Sequence, residues 1–185
     1  FSYAKWSSRT FGSAAIAHHD RTFSQNDQNG WPSRSSQSSV EDALSAMGAR
    51  FVGVPGSVAD GDGCRSIVEQ AVESLGGLDI LVNNAGIGGG GPIASIAPET
   101  FQQIIATNLS GTYLCTKYAL PALLESKGNV LNVASVYGIK GAPFGSAYSA
   151  AKGGVVNLTR SLAIELAPDV RVNCLCPGGV DTDML

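Results

Sequence analysis

Three side chains in the second half of the chain could move a proton between them. Tyr148 and Lys152 lie four residues apart, and Ser135 stands thirteen residues before the tyrosine. Residues four apart share one face of a helix, so a helix beginning near Ser146 would bring the Lys152 ammonium toward the Tyr148 phenol. A free phenol titrates near 10 and is a poor acid or base at neutrality. A neighbouring cation favours the phenolate, which would make the tyrosine a usable proton donor and acceptor. Tyr-x-x-x-Lys taken alone is weak, because such pairs arise by chance on solvated helices. Ser135 comes from a different element. The apolar run Val130–Ala134 reads as a short buried strand that delivers it into a Gly- and Pro-rich loop.

Four further stretches stand in order around these residues: Asn83–Gly86 (N-N-A-G), Asn108–Gly111 (N-x-x-G), Pro177–Gly178 and the later Thr182. With Ser135 and Tyr148–Lys152 they make the sequence resemble the short-chain dehydrogenase/reductase family over roughly residues 41–185. The resemblance implies an α/β fold with a doubly wound, Rossmann-like parallel sheet and hydride transfer between NAD or NADP and a carbonyl/alcohol substrate. It implies catalytic roles for Asn108, Ser135, Tyr148 and Lys152, with Asn108 holding a proton relay to solvent. Cofactor contacts are implied for Ser57, Val58, Asn83, Ala85, Gly86, Tyr148, Lys152, Pro177, Gly178, Val180 and Thr182. A homodimer or homotetramer and a cytoplasmic location are the family's usual setting, and an alternative is a non-catalytic binding or scaffolding relative.

Composition agrees with such a fold. The chain has 185 residues, 44% hydrophobic and 15% charged, with a formal net charge of -3. That is enough for one domain with a sizeable core, and it shows no basic excess for nucleic acid. No apolar run approaches the eighteen or so residues needed to span a bilayer. Cys64, Cys115, Cys174 and Cys176 are scattered without companion histidines, so no metal site is expected. They read as reduced core thiols, with Cys174 and Cys176 alternating onto one face of a strand.

The elements that must position these groups follow from pattern. Residues 1–39 are Ser-rich with no sustained period and read as a disordered or non-native leader, leaving 40–185 as a partial dinucleotide-binding and catalytic domain. The family's opening strand and T-G-x-x-x-G-x-G turn are not found there, and Gly12–Ile16 is the nearest candidate. The chain is therefore expected to be a fragment, incomplete at both ends and lacking the family's C-terminal lid. From residue 40 onward, Val40–Met47 reads as a helix, Phe51–Val54 as a strand, Asp62–Leu75 as a helix and Leu78–Val82 as a buried strand. With two family strands missing, Leu78–Val82 is expected to be an unpaired edge unless Ser13–Ala17 takes the vacant place.

Pro98-Glu99 opens a helix running to about Glu125, with Asn108 marking a distortion in it and Pro121 bending its end. The helix from Ser146 has a core stripe at Ala147, Ala151, Val155, Leu158, Leu162 and Leu166. Its slim residues Ala150, Gly154, Asn157 and Ser161 suit either a dimer contact or helix-on-sheet packing. Val170–Leu175 is the last strand.

Overall fold

A computed structural model describes residues 52–179, together with the backbone of 14–16. Four parallel strands make one sheet in the order β1 (Ala14–Ile16), β2 (Ile80–Asn83), β3 (Asn129–Val133) and β4 (Arg171–Leu175). The register sets Leu81 opposite Val130, and Val130 opposite Val172. All three are buried, and they form the seam on which the helices pack. The opposite face is more open: Ile80 is exposed, and Leu175 at the end of β4 is 52% exposed. The parallel α/β architecture matches expectation. Among the described residues, however, the long helices that contact the sheet share one face.

α1 (Gly61–Leu75) starts where Asp60 accepts a hydrogen bond from the Gly63 N–H at 2.7 Å. It ends at Gly76, whose φ of 81° suits a residue without Cβ. α2 (Pro98–Ile105) begins on its proline, as expected. It runs through a single π-helical turn, Ala106–Ser110, into α3 (Gly111–Ser126). That turn is the distortion foreseen at Asn108. α4 (Ser146–Glu165) buries Ala147, Ala151, Val155 and Leu162 from the foreseen stripe. Among the described residues, no helix is long and apolar enough to cross a membrane.

Three expectations change. Val52–Val54 joins no ladder, because Gly53 and Pro55 weaken the run and no neighbouring strand is available among the described residues. Leu78–Val82 is not an edge, since Ala14–Ile16 pairs alongside it. That strand falls inside the stretch read as a leader. Gly154 does not belong to an open slim face: a Cβ there would meet Leu109 Cδ2 at 2.7 Å, so the glycine lets α4 approach the π turn. The expected helix at Val40–Met47, and Phe51, Val180 and Thr182, lie outside the described residues.

Candidate active site

The carboxyl ends of β2 and β3 and the first turns of α4 bring the chemistry-bearing side chains together. Ser135 follows β3 in extended backbone and is buried. Its position is held from β4, because the N–H groups of Ala134 and Val136 donate to the carbonyls of Leu175 and Pro177, each at 2.8 Å. Pro177 therefore lies beside Ser135. The Ser135 hydroxyl accepts from the Tyr137 N–H at 3.2 Å and lies near enough to the phenol of Tyr148, in the first turn of α4, to influence its ionisation.

Lys152 is 4% exposed, and its Nζ donates to the Val133 carbonyl at 2.8 Å. The same Nζ stands 5.8 Å from the centre of the Tyr148 ring. Burial lowers the Lys152 pKa to about 8, opposed by the Cys174 and Cys176 sulfurs nearby. Burial pushes the Tyr148 phenol up, and Ser135 pulls it back. This corrects the expectation that Lys152 depresses the tyrosine. The lysine is occupied by a backbone carbonyl, and in this arrangement the group favouring phenolate is Ser135.

Asn108 joins the site through the π turn, which inserts one residue into the helix and turns the carboxamide inward. The side chain is fully buried and forms a two-point clamp on Ile87: Oδ1 accepts from its N–H at 2.8 Å, and Nδ2 donates to its carbonyl at 2.9 Å. That clamp draws Gly86 close. A Cβ on Gly86 would stand 2.7 Å from Asn108 Oδ1 and 3.4 Å from Lys152 Nζ. The missing Cβ lets three elements approach there, beside a buried ammonium.

The remaining expected contacts separate into two groups. Val58, Asn83 and Ala85 line one small cleft with Thr107, Gly111, Thr112 and Cys115, with room for about one water. Ser57 is exposed, and its Oγ accepts from the Ala59 N–H at 3.1 Å, so it shapes the turn into α1. The Asn83 side chain points into the sheet. Its Nδ2 donates to Thr116 Oγ1 at 2.9 Å and to Asn132 Oδ1 at 2.8 Å, so a cofactor would meet its backbone.

Sequence reasoning missed what Asn83 belongs to. Asn132 Nδ2 continues to Thr159 Oγ1 at 2.9 Å, and each threonine hydroxyl donates back to its own helix, Thr116 to the Thr112 carbonyl and Thr159 to that of Val155. Thr112 in turn donates to the Asn108 carbonyl at 3.0 Å. A buried polar chain thus runs from α4 across β3 and β2 to α3 and the π turn. Two asparagines at the same register position, opposite threonines at helix spacing, were the available signal.

A family model described as short chain dehydrogenase matches residues 22–185. Among curated proteins, the inactive 2-(S)-hydroxypropyl-CoM dehydrogenase 2 of Xanthobacter autotrophicus is 44% identical over 148 residues, 78% of this chain and 64% of that protein. Carveol dehydrogenase from Mycobacterium avium, solved with NAD, superposes with a TM-score of 0.81 at 32% identity, covering 92% of this chain and 62% of the other. An actinorhodin polyketide ketoreductase solved with NADPH gives 0.77 at 36% identity, covering 82% and 60%. The chain spans about half to two thirds of the length of the curated relatives it matches.

Proposed function

The chain belongs to the short-chain dehydrogenase family, and from that premise we propose that it is the catalytic part of an NAD- or NADP-dependent oxidoreductase acting on a carbonyl/alcohol pair. The observation that carries the reading is the convergence of Ser135, Tyr148, Lys152 and Asn108 from three separate segments onto one buried corner. The Lys152 ammonium, a cation beside the loop that follows β2, suits the polar ribose end of a nicotinamide cofactor. When bound, the cofactor supplies the hydride.

The chain's own residues then manage the oxygen. Ser135 donates to the carbonyl oxygen and fixes its position. Tyr148 delivers its proton to that oxygen during reduction and recovers one during oxidation. Lys152, held by the Val133 carbonyl, would bind ribose hydroxyls and bring its charge toward the phenol once the tyrosine ionises. Asn108 keeps Ile87 and Gly86 in place beside that ammonium. The intact enzyme is a homodimer or homotetramer associating through exposed parts of α3 and α4, where Tyr113, Leu124, Ala150, Asn157 and Ser161 face solvent.

The decisive experiment supplies NADH or NADPH deuterated at the transferable position with a panel of ketones, aldehydes and diketones. Deuterium at the carbinol carbon of a product is the expected result. One observation favours a second reading, the Xanthobacter relative's being described as inactive. Cofactor binding with no deuterium transferred to any acceptor would support a non-catalytic binding protein instead.

A further inference from the structure

Cys174 and Cys176 take no part in the proton chemistry, yet they lie against it. Their sulfurs are 3.9 Å apart, and both residues are partly exposed. Both lie close enough to the Lys152 ammonium to favour its charged form. The Cys176 sulfur also lies near the backbone N–H of Ser135. The stretch Ala134–Val136 is thus tied to the end of β4 on both sides of Ser135, by Leu175 and by Pro177.

We propose that Cys174 and Cys176 are a redox modification site, oxidised by small-molecule disulfides to an intrachain Cys174–Cys176 disulfide that releases Ser135 from its place. The geometry carries both halves. Alternate Cα atoms of an extended strand stand about 6.4–6.8 Å apart, at the outer limit of the range a disulfide bridges, about 4.4–6.8 Å. Closing the bond therefore requires the strand end to contract. It can, because regular pairing in β4 stops at Leu175 and Cys176 lies beyond it. Contraction draws Leu175 and Pro177 away from the Ala134 and Val136 amides. It also commits the sulfur that lies near the Ser135 N–H.

The chemistry balances. One thiolate attacks the small-molecule disulfide, forming a mixed disulfide and expelling one small thiolate. The second protein thiol loses its proton and attacks the bound protein sulfur, expelling the other. The protein loses two protons and two electrons, and the oxidant becomes two thiols. Cys64 and Cys115 also neighbour each other, but both are fully buried, so the oxidant reaches them last.

The test treats the protein with oxidised glutathione, maps the cysteines by peptide mass and follows amide hydrogen exchange. The expected result is a Cys174–Cys176 link formed ahead of any bond at Cys64 or Cys115. Exchange at Ala134, Ser135 and Val136 should rise by about tenfold or more and return on adding dithiothreitol. Cys174→Ser keeps the sulfur near the Ser135 N–H and should show no oxidant-dependent change. If that variant does not fold, reversal by dithiothreitol in the parent decides the matter. Oxidation that stops at a glutathione adduct, or a link that leaves the three amides unchanged, would overturn the proposal. Its consequence for turnover rests on the role given to Ser135 above, whereas the exchange measurement stands without that role.

Discussion

At the scale of single residues, the site works by setting burial against a few directed partners. Ser135 is the one group that favours the ionised form of Tyr148 against burial. Removing its hydroxyl lets the phenol pKa climb further, so Ser135→Ala should move the rise of the oxidative rate to higher pH and lower the maximal rate by roughly 10²-fold. A pH–rate series of both forms checks this, and an unmoved profile would separate the two hydroxyls. Lys152 makes an independent prediction through stability. Its pKa is near 10.5 when unfolded and about 8 when folded. Between those values the unfolded chain holds the extra proton, so stability rises with pH. Below about pH 8 both states are charged and the cost of burying the ammonium is felt in full. Lys152→Met should therefore be more stable than the parent at pH 7, by about 1–3 kcal/mol, while losing activity. The gain should shrink as pH rises from about 8 to 10.5. Denaturant melts across that range measure it, and a constant difference would mean that the lysine is not strained by burial.

At the scale of elements, the backbone spends freedom where two pieces must meet. α3 ends on Lys127 in the left-handed region, φ 51°, immediately before a glycine that cannot be replaced, since a Cβ on Gly128 would stand 2.5 Å from the Asp79 carbonyl. Lys127→Gly should raise unfolding stability by about 0.5–1 kcal/mol, because glycine takes that conformation without a Cβ clash. A loss of stability would show that the lysine side chain contributes more than its backbone costs. The same elements show what was legible beforehand. Pro98, Gly76 and the apolar run of β3 announce their boundaries through local chemistry, and those positions came within a residue or two. The irregularity at Asn108 was legible because asparagine fits a helix interior poorly. That it is a π turn clamping Ile87 was not, because the clamp bridges residues 21 apart in sequence. The chain from Asn83 through Asn132 to Thr159 was hidden for the same reason. Each member reads locally as a polar residue in an apolar run, and only the register shows that they face one another. Val52–Val54 failed in the opposite way, being apolar enough for a strand without a neighbour to make it one.

At the scale of the whole molecule, strands and helices were assigned from periodicity, but which strand lies beside β2 depends on pairing across many residues. The seat at Ala14–Ile16 carried only a faint signal, three apolar residues in a polar stretch. The outer surface of the helical layer raises the remaining question. Ala150 and Ser161 are exposed on α4, whereas Gly154 turns inward against Leu109. Ile164 is 82% exposed near the end of the same helix. Slim side chains let two helices approach closely, and a large apolar residue at the margin gains by being covered. If two copies associate through this face, a long charged side chain at its centre should block them without touching the core. Ala150→Arg should weaken dimerisation by at least about tenfold, while Ile164→Ser weakens it less. Light scattering across a dilution series reads the change, and circular dichroism confirms that the fold persists. Should Ala150→Arg associate as the parent does, the contact lies elsewhere, and the exposed small residues of α4 are only its solvent side.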